Sequence, residues 1–276
     1  MSLNLEEATN LIVTRARQLT NQLFKERGND NPPFLPEQFA QLLGIKEIVK
    51  AELGHAGAVL LRYHYGDIIK VNKSHHPLRQ NFSFAHEIGH VLFNELKLET
   101  YIRNIEYRTF NPRTHVRART VARERLCDAA AAELLMPWLI FRKYLSDFGL
   151  SIHSVERLSY TFGVSAQAAA IRIAEVSEEP CIALLWQPWL RAKSRVLRLA
   201  WCVGPGTKRR GKANYAPVNK IVRHTEKLYK AYKDNITIRS SKLFKLDTVI
   251  KRCPLESKGF GDKEIRRVIS LALLNS

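Results

Sequence analysis

Two histidines and a glutamate in the run His86-Glu87-Ile88-Gly89-His90 have the types and spacing to bind a metal ion and activate water. On an α-helix the imidazoles of His86 and His90, four residues apart, project from one face about one turn apart. One nitrogen of each can then reach a single zinc ion at about 2 Å. Glu87, next to the first histidine, is placed to accept a proton from water at that metal. Gly89 keeps the helix surface between the histidines small. The bland alternative is an amphipathic core helix with two satisfied histidines.

Two histidines leave zinc short of the three protein ligands usual at a catalytic site. The missing donor is sought in Glu124-Arg125-Leu126-Cys127-Asp128. Glu124 and Asp128 are four apart, so both can face the first helix. Glu124 would bind zinc, and Asp128 would accept the second ring N–H of a ligating histidine and fix its tautomer. Against this stands a plain solvent-facing acid in a turn rich in Arg and Glu. Cys127 reads as a small core residue, and the alanines after Asp128 let the two helices approach closely.

These residues need two helices and a sheet to position them. Pro77 opens the first helix, expected over 78–95; the second is expected over 119–136, stopped by Pro137. Ahead of them, Ala58-Val59-Leu60-Leu61 and Ile68-Ile69-Lys70-Val71 flank Tyr65-Gly66-Asp67 and read as a hairpin. Its edge strand would hold an extended peptide by backbone hydrogen bonds. Two N-terminal helices, one through about residue 24 and one from Pro36 to Gly44, look structural.

Three stretches together resemble the ImmA/IrrE metallopeptidases: Ile68-Ile69-Lys70-Val71-Asn72, Arg79 to His90 (R-Q-N-F-S-F-A-H-E-I-G-H), and Glu124 to Pro137 (E-R-L-C-D-A-A-A-A-E-L-L-M-P). The family pattern is a strand ending in Asn, then R-x-x-F-x-x-A-H-E-x-G-H, then E-x-x-A-(N/D)-x-F-A-x-x-L-L-x-P. The resemblance implies His86, His90 and Glu124 as zinc ligands and Glu87 as general base. Cys127 and Ala130 depart from the usual Ala and Phe. It also implies a substrate, a helix-turn-helix transcriptional repressor, cleaved to release genes for stress response or mobile-element transfer.

Beyond the matched motifs, residues 154–175 read as helix, tight turn and helix, with Gly163 in the turn and Ser165 as the next cap. Its second helix offers Gln167 and Arg172 amid alanines, which favours packing or protein docking over base reading. After Glu178-Glu179-Pro180 the composition shifts. Residues 181–276 hold 22 Lys and Arg against 6 Asp and Glu, while residues 1–180 hold 22 against 20, out of a net charge of +18. A basic third beside a nearly neutral remainder points to an anionic partner, nucleic acid first, with Lys208, Arg209, Arg210 and Lys212 in a basic loop as candidate contacts. Solvated lysine-rich surface is the alternative. Strands are expected at 182–186 and 196–203, a helix at 221–232, and strand or helix at 263–274. The tryptophans Trp186, Trp189 and Trp201 are expected in the core.

The expected architecture is α+β: a zincin-like peptidase domain over 1–145, a helix-turn-helix-like segment over 146–178 and a basic α/β domain over 179–276. Some members of the IrrE branch carry a C-terminal GAF-like domain, so the resemblance makes that one form for the last third. No basic start followed by an apolar stretch opens the chain, apolar runs are too short to cross a bilayer, and four cysteines show no paired spacing. A cytoplasmic protein with no membrane contact is expected. The function expected is a zinc endopeptidase; the alternative is a DNA-binding regulator whose zinc is structural or sensory. Tyr101, Tyr107 and His115 are candidates for stabilising the oxyanion by proximity in sequence alone.

Overall fold

A computed structural model describes residues 5–99, 112–191, 194–204, 215–246, 249–261 and 266–274, without the side chains of 112–119, 191, 194, 215, 216 and 249. The chain divides into two compact units, Met1–Ile140 with Thr161–Val164 and Phe141–Tyr160 with Ser165–Ser276. Among the described residues no helix is long and apolar enough to cross a membrane.

The first unit begins with α1 (Leu5–Arg27), whose stripe of Ala8, Ile12, Ala16, Leu19 and Leu23 is buried. Glu6 and Glu7 in its first turn and Lys25 and Arg27 in its last complement the helix dipole. The short α2 (Pro36–Leu42) starts with Pro at its first position. Strands β1 (Glu47–Ala51), β2 (Ala58–Tyr63) and β3 (Gly66–Asn72) form a sheet of order β1-β3-β2. The parallel β1–β3 and antiparallel β2–β3 pairings leave β2 on an edge. The hairpin register pairs Tyr63 with Gly66, so the turn residues are His64 and Tyr65. At the end of β3 the buried Asn72 side chain donates to Gly54 O (3.0 Å) and Ala56 O (2.7 Å) and accepts from Ser74 N, which fixes the loop leading into β2.

Helices α3 (Pro77–Glu95) and α4 (Pro112–Leu135) pack side by side. α3 buries Phe84, Ala85, Ile88, Gly89, Leu92 and Phe93. Small residues set the separation: a Cβ on Gly89 would meet the Cys127 carbonyl oxygen at 2.7 Å and its Cα at 2.9 Å. Both atoms are backbone, so a side chain there must push the helices apart. Gly89→Val is therefore expected to lower the unfolding free energy by about 1–3 kcal/mol, read by denaturant titration. At the far end of α4 the buried Glu133 accepts from Arg17 Nε (2.8 Å) and from the Trp138 N–H (3.1 Å), satisfying a donor at the start of α5 (Trp138–Phe148).

The second unit takes α6 (Ile152–Phe162) up to Tyr160, then α7 (Ala166–Val176) and a seven-stranded sheet. Ser165 caps α7, its Oγ accepting from Ala168 N at 3.2 Å. Arg172, one of the two polar residues read on α7, is buried and pairs with Glu175 at 3.5 Å. The strands are β4 (Cys181–Arg191), β5 (Ser194–Val203), β6 (Tyr215–Pro217), β7 (Ile221–Val222), β8 (Ile238–Leu246), β9 (Val249–Phe260) and β10 (Arg267–Leu273), in the order β6-β8-β9-β10-β4-β5-β7. Every pairing is antiparallel. Trp186 lies at the centre of the core with Leu184, Leu197, Phe244, Leu255 and Val268. Its indole N–H donates to Ser270 Oγ (3.0 Å), which also contacts Ser257 Oγ (2.7 Å). Trp189, by contrast, is 39% exposed. The helix α8 (Lys227–Asp234) buries Leu228, Ala231 and Tyr232 and packs on β8, β9 and β10.

The architecture is thus mixed α+β, with an antiparallel β domain where an α/β domain was expected. The helix anticipated over 221–232 is split. Ile221 and Val222 pair with β5, and the chain turns at Arg223, whose N–H is accepted by Glu226 Oε1 (2.9 Å), before α8 begins. The ambiguous run near the C-terminus is strand, since residues 267–273 have a partner strand on each side.

Candidate metal centre

On α3 the rings of His86 and His90 stand 4.9 Å apart on one face. α4 meets that face with Glu124, Cys127 and Asp128, at positions i, i+3 and i+4 of one helical stripe. Glu124 reaches both rings: Oε2 lies 3.0 Å from His86 Nε2 and Oε1 lies 3.8 Å from His90 Nε2. The other ring nitrogens are engaged as well. His86 Nδ1 is 3.0 Å from Asp128 Oδ1, and His90 Nδ1 is 3.3 Å from Cys127 Sγ. With each Nδ1 held by α4, both Nε2 atoms turn towards Glu124.

One donor atom from each of His86, His90 and Glu124 lies within 4.8 Å of the others, a group that could hold a metal ion. Two imidazole nitrogens and a carboxylate oxygen are a usual zinc donor set, and bonds of about 2.0–2.2 Å would draw them to a tetrahedral spacing with little movement. The residues present fit the ion.

Glu87 sits beside this group, and its Oε2 accepts the backbone N–H of Leu60 at 2.9 Å. Because that N–H is turned to Glu87 rather than to β3, the open edge of β2 runs past the Glu87 carboxylate. Burial raises the Glu87 pKa above its ordinary value, with the charge of Glu124 adding to it, against the opposing pull of His86, the Leu60 N–H and Arg123. Burial works against protonated His86, yet the hydrogen bond and charge of Asp128, with Glu124 and Glu87, raise its pKa overall. His90 goes the other way: burial, with the charge of His86, lowers it to about 4. Burial pushes the Cys127 thiol well above its usual range, so it meets His90 as a neutral group.

The structure thus brings His86, Glu87, His90, Glu124 and Asp128 together. His76 is elsewhere occupied, its Nδ1 accepting from Leu78 N at the start of α3 (3.3 Å). Lys208, Arg209, Arg210, Lys212, Tyr101 and Tyr107 lie outside the described residues, as does the side chain of His115. Three site features were not expected from the sequence: the Leu60 N–H, the Cys127 contact and Arg123, whose Nε lies 3.7 Å from Glu124 Oε1. The i, i+3 offset from Glu124 to Cys127 carried a signal for the second of these.

Residues 41–174 match the family model of the IrrE N-terminal-like domain. The radiation response metalloprotease IrrE of Deinococcus radiodurans is 30% identical over 122 residues, 44% of this chain and 35% of that protein. The chain therefore matches about a third of the length of that curated relative. Among solved structures, a Mycobacterium tuberculosis transcriptional regulator aligns with 98% of this chain and 80% of its own, at a TM-score of 0.59 and 16% identity, a likeness of fold.

Proposed function

Residues 41–174 make this chain a member of the ImmA/IrrE family, and from that premise we propose that it is a zinc-dependent, site-specific endopeptidase with a regulatory role. The observation that carries the reading is the convergence of His86, His90 and Glu124, with Glu87 alongside. His86, His90 and Glu124 would hold the zinc. When bound, zinc supplies Lewis acidity at the scissile carbonyl and makes water a usable nucleophile near neutral pH. Glu87 takes the proton from the attacking water and passes it to the leaving amine. Its burial suits that work by lifting its pKa from the ordinary carboxylate range. The Leu60 N–H holds its carboxylate in place, and a peptide added in extended form to the open edge of β2 would pass the same carboxylate.

Asp128 supports the site through His86 Nδ1. Asp128→Ala is expected to weaken zinc binding about 10–100-fold, as measured by competition with a chromogenic chelator. The substrate proposed is a helix-turn-helix repressor of a stress-response or mobile-element regulon. The test is incubation with purified helix-turn-helix repressors drawn from the same genome. One discrete, chelator-sensitive cut is expected; a repressor left intact overturns that choice of substrate.

The second reading, a DNA-binding regulator with a structural or sensory zinc, is favoured by one observation, the excess of 22 Lys and Arg over 6 Asp and Glu in residues 181–276. It predicts that reversing the charge of Lys208, Arg209, Arg210 and Lys212 weakens DNA retention and flattens its salt dependence, by about 0.9 in log–log slope for each phosphate no longer neutralised. Unchanged retention removes these four residues from any DNA contact.

A further inference from the structure

We propose that Arg123 is a catalytic residue whose guanidinium takes up the negative charge that develops on the scissile carbonyl oxygen. The proposal rests on the metallopeptidase reading and adds to the metal's Lewis acidity a second, protein-borne electrophile.

Arg123 precedes Glu124 on α4, and its Nε stands 3.7 Å from Glu124 Oε1, the oxygen that faces His90. That separation is too long for a hydrogen bond, so Glu124 does not use up its donors. The side chain is 46% exposed, more than the 34% of the ligand carboxylate beside it, so the guanidinium is open to an arriving group. Its field reaches both Glu87 and His90, which puts the guanidinium within electrostatic range of the base as well as the ligands. Arg62 acts on His90 too, but it is held on β2 by Asp67 at 3.4 Å.

A permanent cation here is costly unless an anion comes to it. It repels a dication held by His86, His90 and Glu124, and it draws charge from the carboxylate that should bind that dication. Both costs reverse when negative charge appears on the substrate oxygen. The planar guanidinium then offers paired N–H donors to the oxygen, an interaction that strengthens as the charge develops. Such a group lowers the barrier without tightening the binding of neutral peptide.

Arg123→Met and Arg123→Lys, compared with the unaltered protein, test this on three readouts. The first is metal affinity by chelator competition. The second is affinity of the zinc-loaded protein for an N-phosphorylated dipeptide, whose tetrahedral anion mimics the charge in the transition state. The third is kcat and KM on the repressor. Arg123→Met is expected to bind zinc at least as tightly as the unaltered protein. It is expected to bind the phosphorylated dipeptide about 100-fold more weakly and to lose about 10²–10³-fold in kcat with KM nearly unchanged. Arg123→Lys should recover part of both losses by keeping the charge without the fork. Undiminished affinity for the dipeptide in Arg123→Met overturns the proposal, and so does loss of zinc, which would make Arg123 a positioning residue for Glu124. If the unaltered, zinc-loaded protein neither binds the dipeptide nor cuts the repressor, the peptidase reading itself fails and Arg123 falls with it.

Discussion

Glu87→Gln is expected to keep its zinc and its fold while losing about 10²–10⁴-fold in turnover, the usual contribution of a positioned general acid–base. The substitution is nearly isosteric, and the amide oxygen can still accept the Leu60 N–H that the carboxylate accepts at 2.9 Å. No atom of the proposed ligand set changes. What changes is basicity, since an amide cannot take a proton from water. Chemistry should stop while structure stays, a separation that few other positions in this site would give. Substitution of Leu60 or Asn72 would move the strand itself, because Asn72 ties down the loop that leads into β2. The measurement is single-turnover cleavage of the repressor by metal-matched samples. Cleavage at the unaltered rate would remove Glu87 from the mechanism.

Glu124→Ala should act on the opposite quantity. It removes the carboxylate that spans both Nε2 atoms, at 3.0 Å from His86 and 3.8 Å from His90. A site reduced to two imidazoles is expected to lose about 10²–10⁴-fold in zinc affinity, a share of the total metal free energy in keeping with one donor of several. Stability reports the same change through mass action. Zinc at a thousandfold excess over its Kd stabilises the unaltered protein by about 4 kcal/mol, and a variant about 10²–10⁴-fold weaker gains only about 0.1–1.4 kcal/mol at the same zinc concentration. Thermal melting with and without added zinc separates the two. A zinc-dependent rise in Tm undiminished by Glu124→Ala would mean that the ion sits elsewhere.

The sequence made α3 and α4 legible because helical spacing, proline stops and metal chemistry all act on the same residues. His86 and His90 four apart, with Glu124 and Asp128 four apart, are enough to bring two helices face to face. The contacts between those helices were harder to see. Cys127 was read as packing, and it is buried, but its sulfur also reaches His90 Nδ1 because it shares a stripe with Glu124. The Leu60 N–H could not be read from residue types at all, since any residue at that point of an edge strand supplies one. In the C-terminal third the limits were of another kind. β8 alternates half-buried or buried positions with exposed ones, but Ser240 and Lys242 at inward positions break up its apolar signal, and β9 is similarly interrupted by Lys251, Arg252 and Lys258. These strands are held by pairing along their length and by one apolar face over Trp186 and Phe244. The expected helix over 221–232 merged a two-residue strand with a later helix, because Ile221 and Val222 are apolar at a spacing that suits either form until their pairing with β5 decides it.

The central claim is that His86, His90 and Glu124 hold a zinc ion that Glu87 serves. Elemental analysis of protein purified without added metal or chelator tests it most directly, on the unaltered chain and on Glu87→Gln and Glu124→Ala prepared in parallel. About one zinc per chain is expected in the first two and little in the third. An unaltered chain without zinc, or a Glu124→Ala variant that keeps a full equivalent, would contradict it.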